Sequence, residues 1–387
     1  MKSILLILFV GFNLITLNGY SQSSTPEKVH SVVDVYRTYE WYTEQNQLWG
    51  DILKKQKKNM DAWENYYVSA RMAKIMSETD TDRDNWADKM ETIITGMEKA
   101  IPGTYEYYHL KSWHSSIWGA TEEDVKKFSS WAEKAYAMDP DRTEIYPDMM
   151  NVYMINNDEE KMRELSKRWL ASGDISPNLI ALTYNMLMST EENAILLTAG
   201  DNDTYPALVL QYARDIRPDV TVINIFCAWG SNNYRTNQFN KANVKLSSNI
   251  NNEMEVVDHM IANIGEKPLF FSYGNYINGS EKLQGKVYNV GLSFRYSDTD
   301  FNNTSMLINN YENKFMLDQL RLELYPEPFP EQVKRHNLSY LPGLIQLYSH
   351  YNIIGDATKK ANTRALILRI TSNTNFEETI EETLRNC

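Results

Sequence analysis

Five consecutive residues, Gly200-Asp201-Asn202-Asp203-Thr204, hold the densest set of chemically capable side chains in this sequence. Two carboxylates one residue apart can grip a divalent ion and a diphosphate, because hard cations prefer carboxylate oxygens. Asp201, Asn202 and Asp203 can equally exchange hydrogen bonds with sugar hydroxyls, with Arg235 or Arg295 supplying a cation. A third role is internal. Asp203 or Thr204 would cap the next helix through its first free N–H groups, Asp201 would bond the loop backbone, and Gly200 would allow the turn.

Catalysis is the weakest of the three. In aspartyl-phosphate hydrolases the first Asp is the nucleophile, but their Thr stands two places after the second Asp. Here Thr204 follows Asp203 at once, and the downstream acidic pair of that motif is not evident either. The six histidines lack metal-ligand spacing; His109 and His114 fall five apart, off one helix face. No phosphate-binding glycine loop, dinucleotide fingerprint or nucleophile elbow occurs. The expected catalytic set is therefore empty, with no metal site and no cofactor. Asp201, Asn202, Asp203, Thr204, Arg235 and Arg295 are the candidate ligand-binding residues.

These residues need strands and helices to place them. Ala194 to Thr198 is a short apolar run suited to a buried strand, and Tyr205 to Asp215 reads as a helix with Pro206 in its first turn. Val220 to Phe226 reads as a second buried strand, ending at Cys227, a small apolar filler. This strand, helix and strand form a parallel unit, and the acidic loop falls beyond the carboxyl ends of its strands, where open α/β sheets bind ligands. A helix from Glu253 to Gly265, a strand Lys267–Ser272, and one or two strands within Leu283–Tyr296 extend it.

The run Leu196-Leu197-Thr198-Ala199-Gly200-Asp201-Asn202-Asp203-Thr204-Tyr205-Pro206 resembles the Gly-Asp-Asn-Asp-Thr-Phe-Pro block of bacterial O-mannosyltransferase-like, multispanning membrane proteins. There it lies in an extracytoplasmic C-terminal region. Ile216–Asn224, Lys267–Phe271 and Gly291–Arg295 are similar to later blocks of that region, so the resemblance covers about a third of the chain. Their membrane part, where glycosyl transfer is expected, has no counterpart here, and the resemblance does not carry the activity over. Where those proteins tend to place Asp-Trp-Tyr, this chain has Asn232-Asn233-Tyr234, which removes a carboxylate that could have shared a ligand with Asp201 and Asp203.

From about residue 31 to 190 the chain reads as helices, with apolar and aromatic residues at three- and four-residue spacing. Breaks recur at Pro102, Pro140 and Pro177, 38 and 37 positions apart, close to the period of helical-hairpin repeats. Trp131 to Pro140 resembles the second helix and exit turn of a tetratricopeptide repeat, and Asn59–Trp63 the entry to another unit. Leu341–Ile370 resembles a further hairpin turning at Gly355-Asp356, with Ala357 and Ala361 packed against its first helix. Eight of nine tryptophans fall in the helical half, where core filling is expected over ligand stacking.

The expected architecture is α + α/β: a tetratricopeptide-like solenoid (31–190), a small Rossmann-like sheet domain (193–300) and a closing helical segment (301–387). Lys2, the apolar stretch Ile4–Leu17 and Gly19-Tyr20-Ser21 predict an export signal, residues 1–21, cleaved before Gln22, placing the chain in the periplasm or the medium. No later run has membrane-spanning length. Acidic residues outnumber basic ones, 51 to 39, and the longest basic cluster is Lys54-Lys55-Gln56-Lys57-Lys58. That charge balance excludes nucleic acid. The expected function is a non-catalytic scaffold holding a protein partner on a helical groove, with an α/β domain that takes a small ligand, carbohydrate included. The rival is an enzyme or accessory module of envelope glycan assembly using Asp201 and Asp203.

Overall fold

The computed structural model describes residues 25–115, 121–245, 250–272, 281–322 and 325–386. The export segment and Cys387 lie outside them. The chain forms two compact units that part between Asn156 and Asn157.

The first unit is helical: α1 (Tyr39–Lys55), α2 (Met60–Met76), α3 (Asp80–Ala100), α4 (Tyr105–His114), α5 (Glu122–Met138) and α6 (Tyr146–Asn156). Short polar side chains start these helices. Asn59, Thr79, Thr104 and Thr121 each accept from the backbone N–H three residues on, satisfying a donor the helix cannot. Pro102 and Pro140 fall in the breaks after α3 and α5, as their spacing predicts. Each helix packs on its neighbours in the chain, and α2 also meets α4. Tyr42, Tyr67, Met97 and Leu110 are fully buried between them, with Trp49, Trp63, Trp86 and Trp113 packed at the margin. These tryptophans pack on the core, as expected from their spacing; Trp118 lies outside the described residues.

The second unit opens with α7 (Glu159–Ser172) and α8 (Pro177–Met188). The sequence pattern joins these two helices to the solenoid; the structure gives them to the sheet. Both pack on α9 (Asp201–Arg214), and the Trp169 ring lies 5.8 Å from that of Tyr205. The sheet contains β1 (Ile195–Thr198), β2 (Thr221–Asn224), β3 (Leu269–Ser272), β4 (Val287–Asn289) and β5 (Ser293–Tyr296), in the order β2-β1-β3-β5-β4. The first three are parallel, and β5 and β4 add an antiparallel edge.

Two local expectations fail here for physical reasons. The run Val220–Phe226 is strand only to Asn224, whose side chain accepts from Phe226 N and Cys227 N and so starts α10 (Ile225–Gly230). Cys227 thus sits in a helix, not at a strand end. The acidic run is likewise not a loop before a helix: α9 begins at Asp201, which leaves Pro206 inside the helix, beyond its first turn.

After α11 (Asn232–Lys241) and α12 (Glu253–Asn263), the chain leaves the sheet through α13 (Thr304–Asn309), α14 (Asp318–Arg321), α15 (Pro330–Asn337), α16 (Leu341–Ile353), α17 (Ala357–Thr371) and α18 (Glu377–Asn386). The α16–α17 turn uses Gly355 at φ 74°, and Asp356 caps α17. Ala357 and Ala361 are exposed; Leu366, Ile367 and Ile370 are the buried residues of α17. The closing hairpin belongs to the sheet unit. A Cβ added at Gly343 on α16 would come within 2.7 Å of Tyr311 Oη and 3.1 Å of Asn289 Oδ1 on β4.

Between β4 and β5, Gly291 holds φ at 134°, and a Cβ there would meet Phe315 Cζ at 2.5 Å. Gly291→Ala is expected to cost about 2–4 kcal/mol, combining backbone strain with overpacking. Urea unfolding of the variant checks it; an unchanged midpoint would show that Phe315 moves aside freely.

Candidate functional site

Three parallel strands end together at Thr198, Asn224 and Ser272, and the first turn of α9 rises over them. Asp203 is the centre of the arrangement. Its carboxylate is buried and accepts from Ala199 N (3.1 Å), Gly200 N (2.7 Å) and Ser272 Oγ (2.5 Å). Burial raises its pKa above the ordinary aspartate value, while the Ser272 hydroxyl and the two amides pull it down. Thr204 lies beneath, donating to Thr198 Oγ1 (2.8 Å) and accepting from Asn224 Nδ2 (2.9 Å). Asn224 N in turn donates to Tyr234 Oη at 3.0 Å.

Asp203 thus bonds the loop backbone at both Ala199 and Gly200. Gly200 has φ −124°, and an added Cβ would touch only Asp203 Oδ1 at 3.5 Å, so the turn does not require glycine. Asp201, the first residue of α9, is exposed, with its charge at the positive end of the helix. Burial, reinforced by the negative charge of Asp201, pushes the Cys227 thiol up, so it is no nucleophile at neutral pH. Asn202 turns sideways. Its Nδ2 lies 3.0 Å from His336 Nε2 and its Oδ1 accepts from Gln332 at 3.4 Å, both on α15. Burial lowers the His336 pKa to about 3, which leaves a neutral ring to accept the amide.

Neither arginine joins this group. Arg235 is buried and donates to Ala228 O (2.7 Å) and Trp229 O (3.3 Å), closing the carboxyl end of α10. Its other contact is Asn232 Oδ1. Asn232 is the position where the resembling proteins tend to carry Asp, and here it faces Arg235. Arg295 pairs with Phe270, two residues back from the Ser272–Ser293 pairing at the carboxyl edge. It holds Glu191, which precedes β1, at 2.7 Å and stacks on Phe301. That is the other end of the sheet. Among the described residues, no group of three or more His, Cys, Asp or Glu is placed to hold a metal ion.

One stretch of this unit has a counterpart among known families. Residues 180–258 match TMEM260-associated domain 2. The matched segment, about a fifth of the chain, runs from α8 through β1, α9 and β2 into α12, and so contains Asp201 to Thr204, Asn224 and Arg235. No curated protein matches the chain. Ser272, Gln332 and His336, which complete the network around the matched segment, lie beyond it. Sequence reasoning missed all three. Ser272 could have been found as the last residue of a parallel strand; His336 gives no local signal.

Proposed function

We propose that the chain is a non-catalytic binding protein working outside the cytoplasm, with a protein partner held on the helical unit. The observation that supports this most is the use of Asp203. Both of its oxygens are engaged by Ala199, Gly200 and Ser272, so the Asp201/Asp203 pair offers a ligand only one exposed carboxylate. One exposed carboxylate cannot chelate an ion and a diphosphate as two do. No helix among the described residues is long and apolar enough to cross a membrane. The recurring cap, helix and turn of the helical unit favour a tetratricopeptide-like groove for the partner. The test is a pull-down from envelope extract with the full chain. A partner whose recovery falls when exposed residues of the helical unit are changed is expected; recovery of none would sink the proposal.

The similarity to TMEM260-associated domain 2 favours a second reading, an accessory module of glycan or glycoprotein assembly. The two readings differ at Asp201. As an exposed first-turn residue it contributes about 0.5 kcal/mol through the helix dipole, and Asp201→Ala removes the one carboxylate of the pair that a ligand can reach. A sugar- or sugar-nucleotide-induced rise in melting temperature that disappears in Asp201→Ala would support the second reading over the first.

A further inference from the structure

On the helical unit, α2, α4 and the turn before α6 gather three carboxylates around Arg142. Arg142 donates to Glu106 Oε1 at 2.7 Å and to Glu64 Oε2 at 3.3 Å, and its Nε stands 3.6 Å from Glu144 Oε2. Three carboxylates share one guanidinium, and the charge of Lys28 also bears on Glu64 and Glu144, which leaves one formal negative charge over. Side-chain exposure falls from 39% at Glu144 through 19% at Glu64 to 10% at Glu106, so the cluster has an open mouth and a closed floor.

The floor carries polar atoms with nothing to bond. The Tyr105 ring lies under the Arg142 guanidinium at 3.9 Å, and its hydroxyl is buried without a hydrogen-bond partner among the described residues. That hydroxyl feels the charges of Arg142, Glu144 and Glu64, which places it inside the cluster. One turn along α4, His109 is 2% exposed. The Glu144 backbone bears on its ring, but neither nitrogen makes a hydrogen bond of ordinary geometry. The carboxylates accept only, and the Tyr105 hydroxyl and the neutral His109 ring each offer an accepting lone pair beside their own O–H or N–H. Each is costly to bury without a donor.

A guanidinium answers each of these needs. It brings one positive charge and five N–H donors in a plane, which suits carboxylate and neutral acceptors together. A neutral sugar would leave the excess charge in place. We infer that the Glu64/Glu106/Glu144 cluster is a socket for an arginine side chain on the bound partner. This rests on the binding-protein reading and gives the partner a chemistry: a segment with an arginine that enters past Glu144 and stops at Tyr105 and His109.

The test uses the full chain and two small probes of nearly equal shape, arginine amide and citrulline amide, which differ in charge at the head group. Calorimetric titration is expected to show arginine amide binding about tenfold or more tighter than citrulline amide. Glu144→Gln is expected to abolish that preference with only a small fall in melting temperature, because Glu144 is the most exposed of the three although its neighbours favour its charged form. Glu64→Gln, on the inner wall, should act in the same direction and guards against an effect peculiar to the mouth. Equal affinity for the two probes would overturn the socket. So would no binding of arginine amide at millimolar concentration, or a preference for mannose. If Glu144→Gln still captures the envelope partner while arginine amide fails to bind, the socket falls and the binding reading stands; if the wild type captures nothing, both fall.

Discussion

Asp203→Ala is expected to lower the stability of the sheet unit by about 3–5 kcal/mol, since it strands two backbone amides and a serine hydroxyl at about 1–3 kcal/mol each, less any rescue by water. The three donors come from β3 and from the turn linking β1 to α9, so the loss should appear as faster amide exchange at Ala199 and Gly200 together with an earlier urea transition. Asp203→Asn keeps one acceptor and should fall between. The pH dependence has a definite sign. Burial raises the folded-state pKa above the ordinary 3.8, so the protonated carboxyl is the form the fold favours. That contribution is present below the unfolded value and is lost as pH rises through the folded one. Stability of the wild type relative to Asp203→Asn should therefore decline as pH climbs from the ordinary aspartate range. An Asp203→Ala protein that melts with the wild type would show that the carboxylate braces nothing.

The second large effect lies in acid and in the other unit. Burial holds His109 neutral, with its pKa lowered from 6.5 to about 4. A histidine that must stay neutral in the fold contributes stability above its unfolded value and loses it as pH falls through the folded one. The shift corresponds to about 3 kcal/mol, lost between roughly pH 6.5 and 4. His109→Phe removes the titrating group and replaces idle polar atoms with a ring of similar size. It should leave stability at pH 7 unchanged or higher and flatten the acid limb of the helical unit. The same acid slope in wild type and His109→Phe would count against this account. His336 acts in the same direction in the sheet unit, where its pKa is lowered to about 3.

Much of the fold is legible because its signals are local. Asn59 and Thr121 announce helices through their own side chains, Gly355-Asp356 announces a turn, and the apolar runs at β1 and β3 are strands. The misreadings arise where one side chain overrides a pattern. Ile225 and Phe226 continue a β-like run, yet Asn224 turns its oxygen onto the next two amides and the chain coils into a helix. The pair Asp201 and Asp203 looks symmetrical in sequence. Helical geometry separates them, since the first residue of α9 faces water and the third faces the ends of the strands. Arg235 and Arg295 are equally plausible cations on paper, but strand register sends Arg295 to the opposite edge and the carbonyls of α10 claim Arg235. Register and tertiary hydrogen bonds have no imprint in a window of ten residues.

The partners of the α9 turn also bear on how the chain comes to be folded. Asp203 meets Ser272 across 69 residues, Asn202 meets His336 across 134, and Asn185 meets Tyr340 across 155. The helical unit, built from neighbours in the chain, can assemble while synthesis continues. The sheet unit must wait for its last third, and contacts of such long separation form slowly. During that interval β1 and β2 are apolar strands whose covering helices are not all in place. The stretch most exposed to aggregation or to a chaperone is thus the β1–α9–β2 unit, whose α9 turn is later bonded by α15, and a chain terminated after β5 should be found in the insoluble fraction.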